Sequence, residues 1–126
     1  MSVENIMTAK VVSIEPGCPL VEVVKKLYAY GVSCVLVCED ELPVGIISER
    51  DIIGYALNLA TGKAEPRETA TDLMTSPLTT VRSDAPVDDA VAIVTEHRIR
   101  HLPVVDADGK LVGLLTQSNL LHALSD

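Results

Sequence analysis

Val44-Gly45-Ile46-Ile47-Ser48-Glu49-Arg50-Asp51 recurs as Val112-Gly113-Leu114-Leu115-Thr116-Gln117-Ser118-Asn119, and this echo decides the fold. On either side of it, Asn5-Ile6-Met7-Thr8 returns as Asp72-Leu73-Met74-Thr75, and Pro19-Leu20-Val21 as Pro86-Val87-Asp88. The shift is 67 positions from Met7 to Met74 and 68 from Gly45 to Gly113. The added residue falls in the turn Asp106-Ala107-Asp108-Gly109, where a hairpin tolerates it. The chain therefore reads as repeat 1 over residues 1–57 and repeat 2 over 72–126. A linker over 58–71 carries Gly62, Pro66 and mixed charge. A copy of about fifty structured residues rarely buries a sufficient core alone. Two copies related by a pseudo-two-fold are expected to share one core and form one compact module.

Within each copy the periodicity changes. Residues 10–14 and 78–81 are short and β-prone. Pro19 and Pro86 then open helices, where a missing N–H costs nothing. Leu20, Val23, Val24 and Leu27 keep helical spacing, as do Val87, Ala90, Val91 and Val94. Residues 32–38 and 99–105 read as buried strands, with 44–47 and 111–115 as their hairpin partners. Closing helices are expected over 51–58 and 119–124. The order is β-α-β-β-α, twice: an α/β fold with the sheets packed together and helices outside.

The 126 residues are 48% hydrophobic, almost all aliphatic, with no Trp or Phe. A net charge of −8 disfavours nucleic acid and anionic membranes as general partners. No apolar run reaches the length of a membrane span, and residues 1–10 lack a signal-peptide pattern. Cys18, Cys34 and Cys38 are odd in number and sit in apolar contexts, which points to buried thiols in a reducing, cytoplasmic setting. Cys34 and Cys38, four apart on a strand, are expected on one face as core residues rather than metal ligands.

Two motifs carry chemistry. In the first, a hydroxyl residue ends a strand and Asp51 or Asn119 follows three positions later, the pattern of a capping box. The same geometry serves a ligand. Free N–H groups at a helix start, with a hydroxyl, attract anions, and a carboxylate one turn in can accept two hydrogen bonds from a vicinal diol. The two readings are compatible. The second motif is Arg98-Ile99-Arg100-His101-Leu102-Pro103-Val104-Val105, whose Arg100 and His101 face uncharged counterparts, Ser33 and Cys34, in copy one. It reads either as a solvated basic pair or as a phosphate clamp with forked donors. Neither His97, His101 nor His122 has the supporting spacing of a catalytic set, so catalytic and metal residues are expected to be none.

These residues resemble a tandem pair of CBS domains, the Bateman module. The likeness rests on Ile6-Met7-Thr8 and Leu73-Met74-Thr75, on the 99–106 strand, and on the two Gly-x-x-Ser/Thr-x-x-Asp/Asn endings. It implies two clefts and a regulatory module binding an adenosyl ligand. The ligand would be AMP, ADP or ATP first of all, with Mg2+ accompanying ATP, or else NAD or S-adenosylmethionine. It also implies a homodimer and a protein partner in trans. Carried over, the first cleft would combine Ser48, Arg50 and Asp51 with Pro77, Leu78, Thr79, Ile99, Arg100 and His101. Asp51 would take the ribose diol, while Ser48, Arg100 and His101 would take phosphate. The second would combine Thr116 and Asn119 with Met7, Val11, Val12, Val32, Ser33 and Cys34. Asn119 stands there in place of the acid, without a cation opposite, so nucleotide is expected in the first cleft. The competing expectation is a structural or oligomerising adaptor with no nucleotide.

Overall fold

The computed structural model describes residues 1–125. The chain divides into two packing units, Val12–Leu78 and a discontinuous one built from Met1–Val11 and Thr79–Asp126. The repeat boundaries and the packing boundaries thus differ, because each copy's opening Met-Thr segment packs with the other copy.

In the unit Val12–Leu78, β1 (Ser13–Ile14) runs parallel to β2 (Cys34–Glu39), which pairs antiparallel with β3 (Leu42–Ser48). Helix α1 (Leu20–Tyr30) connects the parallel pair, α2 (Glu49–Ala60) follows β3, and the short α3 (Ala70–Leu73) closes the unit. In the other unit a 3-10 turn (Val3–Asn5) precedes β4 (Val81–Arg82), α4 (Val87–His97), β5 (His101–Val105), β6 (Leu111–Thr116) and α5 (Gln117–Leu124). Its sheet repeats the order, β4 parallel to β5 and β5 antiparallel to β6. Both hairpins slip register once, leaving Val44 and Val112 as the extra residues. Of the three cysteines expected to be buried, Cys34 is, whereas Cys18 and Cys38, the latter near the end of β2, are only partly so.

Each unit carries its own apolar cluster. Ile14, Leu20, Val23, Leu27, Val35, Val37, Ile47 and Ala70 form one. Val3, Val81, Ala90, Leu102, Val104, Leu115 and Leu120 form the other. Residues 34–37 and 102–105 are buried without alternation, as expected of strands covered on both faces.

Pro19 and Pro86 are N-caps, one residue before the first helical position expected for them. Each is extended, and the next N–H finds a carbonyl from elsewhere in its unit. Leu20 N donates to Glu68 O at 3.0 Å, and Val87 N to Met1 O at 3.2 Å. Helices α2 and α5 start two residues earlier than expected because Ser48 and Thr116 are themselves the caps. Helix α2 also runs on to Ala60, and α3 shortens the irregular stretch further.

Helix α1 ends on Gly31 at φ 61°, and α4 on Arg98 at φ 53°. Left-handed backbone suits glycine and costs a side-chain-bearing residue about 1 kcal/mol. Gly45 and Gly113 are held by close approach instead. A Cβ on Gly45 would lie 2.8 Å from Met74 Cγ, and one on Gly113 would lie 3.1 Å from the Thr8 carbonyl oxygen. Gly113→Ala is therefore expected to lower unfolding free energy by about 1–2 kcal/mol, measured by urea denaturation. An unchanged midpoint would show that the arm yields freely.

Candidate functional site

In the unit Val12–Leu78, the antiparallel hairpin sets the start of β2 beside the end of β3, with Cys34 opposite Ser48. Ser48 N donates to Asp51 Oδ2 at 2.9 Å, and Asp51 N donates to Ser48 Oγ at 3.1 Å. Glu49 N donates to Ser33 O at 2.8 Å, which ties the helix start to the strand start. Asp51 is half-buried, and its Oδ1 accepts no hydrogen bond among the described residues. That oxygen keeps its full acceptor capacity while the other holds the cap. Arg50 is exposed on the same turn. Burial pushes the neighbouring Cys34 thiol up to about 11, so it stays neutral.

The other unit builds the matching corner differently. His101 lies opposite Thr116. Asn119 Oδ1 accepts from Thr116 N at 2.9 Å and from Thr116 Oγ1 at 3.0 Å, while Asn119 Nδ2 donates to Thr8 Oγ1 at 3.4 Å. Both acceptor sites of the amide oxygen are used, so nothing remains to receive a diol. The first turn of α5 carries no acid, whereas α2 carries Glu49 and Asp51. The α2 corner therefore has a carboxylate oxygen to offer a diol, which the α5 corner lacks.

The structure thus brings together residues that the sequence had placed in different clefts. Ser48 and Asp51 share a corner with Ser33 and Cys34, and His101 shares one with Thr116 and Asn119. Arg100 is exposed one residue before His101, and the half-buried Ile99 packs against its unit's cluster. Val12 O accepts from Leu36 N at 3.0 Å, and Val32 N donates to Leu27 O at 3.3 Å. Met7 covers Gly113. Pro77 is exposed and follows a cis peptide bond, and Leu78, Thr79 and Val11 are half-buried. The residues assigned to the first cleft divide between units: Ser48, Arg50, Asp51, Pro77 and Leu78 in one, and Thr79, Ile99, Arg100 and His101 in the other. Reading from sequence had missed that Thr8 and Thr75 bridge to Leu114 and Ile46, although their recurrence in the opening motif was the available signal.

Among the described residues no group of three or more His, Cys, Asp or Glu could hold a metal ion. No helix is long and apolar enough to cross a membrane.

Comparison with known proteins places this geometry in a family. The chain is 35% identical to the protein MK0525 of Methanopyrus kandleri over 97% of its own length, and spans 62% of that relative. A crystal structure of CBSX2 in complex with AMP matches with TM-score 0.84 at 30% identity, covering 98% of this chain and 96% of that one. The CBS domain pair of MJ0100, in complex with 5′-methylthioadenosine and S-adenosylmethionine, matches with TM-score 0.83 at 25% identity, covering 99% and 96%. The CBS domain sequence profile matches residues 3–58 and again 70–126, and the chain belongs to the CBS domain family as a tandem pair.

Proposed function

We propose that this chain is a regulatory module that binds an adenosyl ligand, an adenine nucleotide first of all, and signals by a change of conformation or assembly to a protein partner. The observation that carries the reading is the unoccupied acceptor on Asp51, held in place by its own capping box. AMP, 5′-methylthioadenosine and S-adenosylmethionine, the ligands of the similar structures, share one polar feature beyond adenine, the ribose 2′,3′-diol. A carboxylate oxygen with two unused lone pairs suits that diol. Phosphate separates AMP from the other two, and Ser48, Arg100 and His101 are proposed to take it. With ATP, Mg2+ arrives on the ligand's phosphates. Asn119, its amide oxygen saturated, leaves the second corner without a ribose acceptor, so one nucleotide per chain is expected.

A second reading, an oligomerising adaptor, draws on exposed apolar residues. Tyr28 is 90% exposed on α1, and Ile53 and Leu57 are 66% and 62% exposed on α2. An apolar groove of about 500 Å³, lined by Val24, Tyr28, Ile52 and Ile53 among others, runs along these helices. We propose that a second copy covers this face, giving a homodimer, and the adaptor reading differs only in needing no ligand. A thermal-shift panel of AMP, ADP, ATP, NAD and S-adenosylmethionine separates the two, with assembly followed by light scattering in the same samples. A ligand at a hundredfold its dissociation constant adds about 2.7 kcal/mol. No shift with any of the five would favour the adaptor.

A further inference from the structure

We propose that Arg98 is a ligand-contacting residue that recognises phosphate groups beyond the first of an adenine nucleotide. This rests on the reading of Arg100 and His101 as the site for the first phosphate.

The backbone is the starting observation. Arg98 closes α4 in the left-handed region, at φ 53° and ψ 42°, where the other copy closes α1 with Gly31 at φ 61° and ψ 33°. Glycine meets that geometry without strain, and the duplicate shows that the fold accepts it there. A long side chain kept on strained backbone points to a use for the side chain. Helix capping does not supply that use. A cation anywhere in the last turn would meet the helix dipole equally well, with no need of a left-handed residue.

The surroundings say what the use is. Arg98 and Arg100 are exposed, and the half-buried Ile99 between them packs on the core of its unit. Both guanidinium groups therefore stand at the surface just before His101 opens β5. Neither Arg98 nor Arg100 takes part in the ion pairs seen among the described residues, such as Lys25 with Glu22 and Arg82 with Asp84. In a chain with 18 acidic and 10 basic residues, these two arginines within three positions pair with no carboxylate among the described residues. The matching stretch of copy one, Gly31-Val32-Ser33-Cys34, has no cation at all. A monophosphate is matched by Arg100 and His101. A further guanidinium suits the added charge of a diphosphate or triphosphate, and its fork can grip a phosphate through two donors.

The test is calorimetric titration of AMP, ADP and ATP into the full chain, as wild type, Arg98→Gly and Arg98→Lys, with thermal unfolding of each unliganded protein. Arg98→Gly is expected to raise the melting temperature and to lower ATP affinity about tenfold, the order of one charge-assisted hydrogen bond. AMP affinity should fall less than threefold. Arg98→Lys should keep more of the ATP affinity than Arg98→Gly. These opposite movements of stability and binding are what a merely strained cap would not give. A glycine variant whose ATP-to-AMP preference equals that of wild type overturns the role of Arg98 alone, and so does a lowered melting temperature. Wild type that binds none of the three nucleotides overturns the phosphate reading itself, and Arg98 with it.

Discussion

Asp51→Ala is expected to weaken AMP binding about a hundredfold and to erase the thermal shift that saturating AMP gives. Two hydrogen bonds from a diol to a carboxylate contribute about 1.5 kcal/mol each, or roughly 3 kcal/mol together, which is the stated factor. The substitution also breaks the capping box with Ser48, at a cost of about 1 kcal/mol to the helix. Ligand identity separates the two effects. AMP lacking both ribose hydroxyls should bind wild type and Asp51→Ala equally weakly, because the interaction removed from one is already absent from the other. AMP affinity within threefold of wild type would reject the assignment of Asp51.

Val3→Asp should cost about 3 kcal/mol or more, and the damage should appear at the opposite end of the sequence. Val3 is fully buried in the cluster that holds Val81, Leu102, Val104 and Leu115. Its neighbours are stitched to the same unit. Val3 N donates to Ala85 O at 2.9 Å, Glu4 N to Ser83 O at 3.0 Å, and Thr8 exchanges two bonds of 2.9 Å with Leu114. An unpaired carboxylate placed there removes a large part of a stability that is typically about 5–15 kcal/mol. Hydrogen exchange read by mass spectrometry should show lost protection over β4 to α5, with β2 and β3 retained. Equal loss in both units, or loss confined to β1 to β3, would contradict the packing described.

The repeat was legible because its hydrophobic pattern repeats in frame, and the β-α-β-β-α order followed from it. The functional residues were legible as types: Ser48 with Asp51 announces a helix cap, and Arg100-His101 announces a basic pair. Three things were hidden. Pairing between strands is non-local, so the meeting of Ser33 with Glu49, and of His101 with Thr116, needed the hairpin register. Backbone hand is hidden too, since nothing in the letters Arg98-Ile99 signals a left-handed residue where Gly31 does. The exchange of opening segments was hidden most deeply. Met7 and Met74 look like the first residues of their own copies, yet each packs on the glycine of the other, Gly113 and Gly45. The hydroxyl of Thr8, which engages Asn119, was likewise invisible until that exchange was known.

The exchange also sets a timetable. The ribosome makes Met1–Val11 before Val12–Leu78, but the segment these first residues pack with, Thr79–Asp126, comes after both. The contiguous unit can close as soon as it leaves the exit tunnel. The leading arm, with Val3 and Met7 bared, must wait a few seconds more at roughly 5–20 residues per second. During that interval Val3 and Met7 lie on a segment whose packing partner has not yet been made. A chaperone that captures such apolar segments, or a neighbouring nascent chain of the same kind, would find it open then.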